Sequence, residues 1–212
     1  MSIDREKYMS MEEVKTLRAV TQAQSAMDLG VGRVNGVLAW MVVDIALSTG
    51  LRVSEIANLN VKDIDLKRGC LKVVRVKKKR KTKETLAVGK ELVDHLKKFL
   101  TWRSARISSV DRAYRKGPAA TKGLLFIGCR GPLTSGGLQK IWHRAVEQAN
   151  LPKELSIHSA RHTMAVHLLK RTGNLRQVQK QLGHSSPSTT ANLYADVPFE
   201  DMQNGVTGLY AG

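Results

Sequence analysis

From Val37 to Ser48 the chain is apolar almost without interruption, with Asp44 as its one acid. No other stretch limits the fold so strongly. A helix that is apolar on all sides has to be wrapped by other elements, so this one belongs at the centre of a core. It is too short to cross a bilayer, and Asp44 breaks it. Gly50 follows, where a left-handed residue closes a helix. At 42% hydrophobic residues the chain can wrap such a helix without disulfide or metal staples.

The wrapping reads as mostly helical. Ser10-Met11-Glu12-Glu13 has the form of a capping box, and Val14, Leu17 and Val20 follow at helical spacing. A short helix is expected from Val53 to Leu59. An amphipathic one is expected from Glu91 to Arg106, with Leu92, Leu96, Phe99 and Leu100 on one stripe. Further helices are expected over Leu138–Gln148, Ile157–Arg171 and Leu175–Leu182, the last two closed by Gly173 and Gly183. Ser186-Pro187 suits the start of a final helix, which carries Tyr194 and stops near Pro198. Cys70 to Val88 differs in kind. The β-formers Leu71, Val73, Val74 and Val76 precede a polar run, and Leu86, Ala87 and Val88 follow it, which predicts a hairpin with Lys77 to Lys83 at its tip. Residues 107 to 137 are rich in Gly, Ser, Arg and Pro and read as loop, apart from the apolar piece Leu124–Ile127. The expected class is α+β, mainly α-helical: a helical bundle with a small antiparallel sheet.

Thirty-five Lys and Arg stand against eighteen Asp and Glu, a net charge of +17. Solubility alone rarely calls for such an imbalance, whereas a polyanion explains it, and nucleic acid is the commonest. No basic amphipathic helix or lipidation signal points to a membrane surface. Cys70 and Cys129 lie far apart without CxxC spacing, so a disulfide framework or zinc site is not expected, and a reducing cytoplasm fits. The first residues include Asp4 and Glu6 and lack the apolar core of a signal peptide.

Five residues carry the candidate chemistry. His158 and Arg161 are three apart and share a helix face. Arg52 opens a helix directly after the Thr49-Gly50 turn; His184 follows a helix-ending glycine; Tyr194 lies in Asn192-Leu193-Tyr194. Each alone could be ordinary structure, since a histidine and an arginine on a helix are more often surface residues. Together they form a pattern. Thr49-Gly50-Leu51-Arg52-Val53-Ser54-Glu55, then Ile157-His158-Ser159-Ala160-Arg161-His162-Thr163, then Gln181-Leu182-Gly183-His184-Ser185-Ser186 and Tyr194 resemble the tyrosine recombinase family, which includes phage integrases. The likeness runs from Ser10 to about Pro198.

Elementary chemistry accounts for the residue types. Attack on a phosphodiester builds negative charge on its non-bridging oxygens, and preorganised cations stabilise it. Arg52 and Arg161 suit that clamp, because guanidinium forks match phosphate oxygens and remain charged. His184 adds a donor. Tyr194 needs activation, since only about one phenol in a thousand is ionised near pH 7. The resemblance implies His158 as its base, Glu55 as an orienting carboxylate and a hairpin lysine as acid for the leaving 5′ oxygen. Lys81, before Thr82, is preferred; Lys79 and Lys83 are the alternatives. Lys77, Lys78, Lys79, Arg80 and Lys83 are expected to contact DNA phosphates. His95, His143, His162 and His167 read as structural, and Tyr8, Tyr114 and Tyr210 lack a Gly-His turn before them.

The resemblance further implies a 3′-phosphotyrosyl intermediate, no cofactor and no metal. It implies a double-stranded DNA partner bound by a homo-tetramer on paired sites, with a monomer in the absence of DNA. Residues 1–198 then form the catalytic domain and 199–212 a tail docking on a neighbouring protomer. The helical core-binding domain that usually precedes the catalytic domain is expected to be absent, making DNA binding weak and steeply salt-dependent. A catalytically silent DNA-binding regulator and a type IB topoisomerase are the rival readings. The complete residue set argues against the first, and the Leu182-Gly183-His184-Ser185-Ser186 turn against the second.

Overall fold

A computed structural model describes residues 8–77, 80–113, 123–129 and 131–183. The apolar run forms helix α2 (Asn35–Thr49), and α1 (Met11–Gly30), α4 (Lys90–Ala113), α5 (Ser135–Gln148) and α6 (Ile157–Thr172) all pack against it. Val37, Met41, Val42, Val43 and Ile45 are almost fully buried. Asp44 is buried too, and it is paired: Arg18 Nη2 donates to it at 2.6 Å and His95 Nδ1 lies 2.7 Å away. The expected capping box opens α1, with Ser10 Oγ accepting from Glu13 N–H and the Glu13 carboxylate accepting from Ser10 N–H. Asp28 near the end of α1 accepts from Gly36 N–H at 2.7 Å and so serves the free amino end of α2.

After the short α3 (Val53–Ala57) and a single 3-10 turn comes a three-stranded antiparallel sheet in the order β1 (Ile64–Asp65), β2 (Cys70–Lys77), β3 (Arg80–Ala87). The β2–β3 register runs from Cys70↔Ala87 to Lys77↔Arg80. The polar run expected as a broad tip is therefore largely strand. Backbone pairing does not depend on apolar side chains, and Lys81, Thr82 and Lys83 are exposed on a hairpin with one solvated face. Two further expectations change. Helix α4 continues to Ala113 rather than stopping at Arg106, and the presumed loop holds a small ladder of β4 (Ile127–Gly128) and β5 (Gly131–Pro132). Helix α7 (Leu175–Leu182) ends at Gly183 with a left-handed φ of 67°. Phe99, Phe126, Trp142 and Leu17 fill the core around α2. Among the described residues no helix is long and apolar enough to cross a membrane.

Candidate active site

The site is built from helix ends. Arg52 is the N-cap of α3, and Glu55 one turn on reaches back to it: Oε2 accepts from Arg52 N–H at 2.8 Å and Oε1 from Nη1 at 2.9 Å. The carboxylate therefore fixes both the helix start and the direction of the guanidinium. Glu55 is buried, while the Arg52 side chain stays 44% exposed, open to a ligand.

Arg161 lies on α6 and is buried. Its Nη1 donates to Gly50 O at 2.7 Å and its Nη2 to Leu182 O at 2.9 Å. These carbonyls belong to the ends of α2 and α7, where helix dipoles place partial negative charge. Both ends turn through left-handed glycines, Gly50 and Gly183. At Gly50 a side chain would also run into Met164 and Leu182, so the glycine permits the approach of α6 and α7. Among the described residues Arg161 has no ion pair, so its charge is held in place without being cancelled. Burial first, then Arg52, lowers its pKa to about 10; Glu55 opposes the shift and Arg75 adds to it.

His158 stands one turn before Arg161 in the first turn of α6, which Ser156 caps. It is exposed, yet its pKa is lowered by partial burial and then by the positive fields of Arg161 and Arg52, which favour the neutral ring, the form that can accept a proton. The His158 and His162 rings meet in a T-shaped contact, with centroids 4.9 Å apart and planes at 80°.

The sequence reading missed Arg75 on β2. It is 1% exposed, donates from Nη1 to Glu84 at 2.9 Å and from Nη2 to Gln181 O at 2.8 Å, and its Nε lies 3.8 Å from Glu55 Oε1. Strand alternation could have revealed it, because Leu71, Val73 and Arg75 share the buried face. Among the described residues, the carboxylates paired with or acting on Arg52, Arg75 and Arg161 are Glu55 and Glu84. Three guanidiniums against two carboxylates leave a positive surplus suited to an anion.

Arg52 and Glu55 from the start of α3 thus converge with His158 and Arg161 from α6. Lys81 does not join them: it pairs with Val76, and it and Lys83 lie exposed on the hairpin face opposite Arg75. Lys77 and Arg80 close the paired part of the hairpin. Lys78, Lys79, His184 and Tyr194 lie outside the described residues, as do the expected last helix and the tail 199–212. Among the described residues no three His, Cys, Asp or Glu side chains are grouped to hold a metal ion.

Comparison with known proteins gives the same frame. The pattern of the phage integrase family matches residues 7–201, and the chain belongs to that family. It is 36% identical over 177 residues to tyrosine recombinase XerC of Treponema denticola, covering 80% of this chain and 57% of the relative. The fold matches that of XerH site-specific recombinase bound to difH substrate (TM-score 0.70, 22% identity, 98% of this chain and 55% of that one). It also matches the Tn1549 transposon integrase in complex with transposon right end DNA (TM-score 0.72, 19% identity, 97% and 67%). The chain spans about half the length of the curated relatives it matches.

Proposed function

We propose that this chain is the catalytic part of a tyrosine site-specific recombinase, which integrates or excises DNA by cutting and rejoining strands. The observation that carries the reading is the convergence of Arg52 and Arg161, from segments far apart in sequence, beside His158. Two guanidiniums, one half-exposed and one fixed by carbonyls, suit the oxygens of a phosphodiester in its five-coordinate state.

In the proposed reaction His158 accepts the phenolic proton of Tyr194 as the phenol oxygen attacks phosphorus. The P–O5′ bond breaks, the 5′ oxygen takes a proton from a hairpin lysine, and the DNA 3′ end stays on the protein as a phosphotyrosyl ester. A 5′ hydroxyl from the partner duplex then attacks that ester and releases the phenol. One ester replaces another at each step, so no external energy source is needed. Lys81 remains the proposed acid, although its face of the hairpin requires the tip to twist or shift on DNA; Lys79 and Lys83 are its alternatives. His184 supplies a further donor to the phosphate. Lys77, Lys78, Lys79, Arg80 and Lys83 hold the backbone, double-stranded DNA is the partner, and the cytoplasm is the compartment. Four protomers assemble on two sites, with residues 199–212 docking on a neighbour. An open groove of about 590 Å³ between α1, α6 and α7, lined by Met11, Leu47, Val88, Met164 and Leu168, offers an apolar seat for such a tail.

The test is a nicked suicide duplex carrying a candidate site. Wild type becomes covalently linked to DNA and Tyr194→Phe does not; an adduct formed by Tyr194→Phe refutes the nucleophile.

A further inference from the structure

Among the fully buried side chains of the described residues, only Trp142 is larger than Arg75. A buried guanidinium is a costly way to fill a core, and an apolar side chain continuing the Leu71–Val73 face would do so without desolvating a charge. What Arg75 holds explains its presence. Nη2 donates to the Gln181 carbonyl, and the next carbonyl, Leu182 O, is held by Arg161. Two buried arginines therefore grip successive peptides at the end of α7 from two sides. Gly183 follows, and a Cβ there would overlap the Arg75 guanidinium, so the turn and the arginine occupy adjoining space. A second tie joins the same elements, from Gln181 Nε2 to Ala87 O on β3 at 3.2 Å. The fork is placed for these partners at the expense of Nε, which is buried without a hydrogen-bond partner among the described residues.

We infer that Arg75 is a positioning residue for strand cleavage: it pins the β2–β3 hairpin to the end of α7 and so fixes where the chain enters His184. This rests on the proposed role of His184. Helix α7 has eight residues and buries only Val178 and Leu182, too little to fix its end within the tolerance that phosphate chemistry demands. The two arginines supply that constraint. Through Glu84 the same guanidinium also holds the strand that leads to Lys81 and Lys83.

The experiment is a double-mutant cycle read by single-turnover cleavage of the nicked duplex at saturating protein. It compares wild type, Arg75→Met, His184→Ala and the double variant. Arg75→Met keeps the length and removes the charge. It slows cleavage about a hundredfold while the affinity for DNA changes less than about threefold, because the lost element is geometry and not contact. Arg75→Lys, which keeps one donor for Gln181 O, recovers part of the rate. In the His184→Ala background the added Arg75→Met slows cleavage by less than about threefold, since the residue it positions is already gone. If Arg75→Met does not fold, Arg75→Lys takes its place in the cycle, and its rate loss must likewise shrink in the His184→Ala background. Full additivity with His184→Ala, or a wild-type rate for Arg75→Met, overturns the inference. Absence of any adduct with the wild-type protein sinks the functional reading itself; an adduct with additive losses sinks only the role of Arg75.

Discussion

Replacing Arg161 by methionine separates what that residue does for the fold from what it does for DNA. Its pKa is held at about 10 by burial and Arg52, well below the ordinary arginine value. Keeping the charged form inside the protein therefore costs the folded state about 3 kcal/mol at neutral pH. The sign follows from the depression: the penalty is present below pH 10 or so and fades only as the pH rises through that value. Against it stand two buried carbonyls, Gly50 O and Leu182 O, each of which costs about 1–3 kcal/mol if left bare. Methionine strands both and removes the penalty, so the net change runs from a gain of about 1 to a loss of about 3 kcal/mol. Cleavage behaves otherwise. Losing one preorganised donor to a developing oxyanion costs about a hundred- to a thousandfold, and losing a charge costs no less. Urea denaturation and suicide-substrate cleavage on the same preparations give both numbers. Inorganic phosphate should also raise the melting temperature of wild type more than that of the variant. A stability loss above about 5 kcal/mol would mark Arg161 as a structural post, and cleavage within tenfold of wild type would remove it from the phosphate clamp.

His158 and His167 both have lowered pKa values, His158 by burial, Arg161 and Arg52, and His167 by burial and Lys170, which the Met9 backbone opposes. The unfolded chain therefore takes up protons first, so stability is intact above about pH 6.5 and falls as the pH drops through the folded values. Melting temperatures between pH 7.5 and 5 should fall, and His158→Asn should flatten part of the slope; an unchanged slope would contradict the assignment. The run from Lys77 to Lys83 holds six cations. If each neutralises one phosphate, log K for DNA falls with log salt at a slope near −5, and Lys77→Gln with Lys78→Gln and Lys79→Gln should lessen it by about 3. A slope indifferent to these changes would take the run off the DNA backbone. Lys81→Ala should slow cleavage about a hundred- to ten-thousandfold on an ordinary duplex. It should leave nearly unaffected a duplex with sulfur at the leaving 5′ position, since a thiolate leaves without a proton. If Lys79→Ala or Lys83→Ala shows that pattern instead, the acid lies there.

What could be read in the sequence was what local pattern determines. Helix α7 has the bounds expected from Leu175 to Leu182, because its apolar spacing ends at a glycine; what local pattern does not carry is how that end is held, by Arg75 and Arg161 from distant elements. The apolar run expected as a helix from Val37 to Ser48 lies inside α2, which extends from Asn35 to Thr49 and closes at the left-handed Gly50. Elsewhere polarity misled. Ser108-Ser109 and the arginines around them look like loop, but Ile107 and Val110 continue the helical phase of Leu96, Leu100 and Arg103, and α4 runs on. The lysine run looks like a turn, yet its strands pair up to Lys77↔Arg80. Arg75 could not be found by composition, because its three carboxylate or carbonyl partners come from three other segments and its burial exists only once they meet. Arg52, Glu55, His158 and Arg161 were legible as a set through family resemblance alone; their convergence is tertiary.

The two clamp arginines are held in opposite ways, and the difference has a physical consequence. Arg52 is held by a carboxylate, which fixes its direction and neutralises it. Arg161 is held by the carbonyl ends of two helices, which fix its direction equally well but cancel only partial charge. A site made of two carboxylate pairs would have no net attraction for phosphate, and one made of two bare arginines would repel itself during folding. Combining one of each keeps the repulsion small enough for the fold to tolerate while leaving a full positive charge beside the exposed face of Arg52. The left-handed glycines at 50 and 183 make that combination possible, since they end α2 and α7 with carbonyls directed at the same guanidinium.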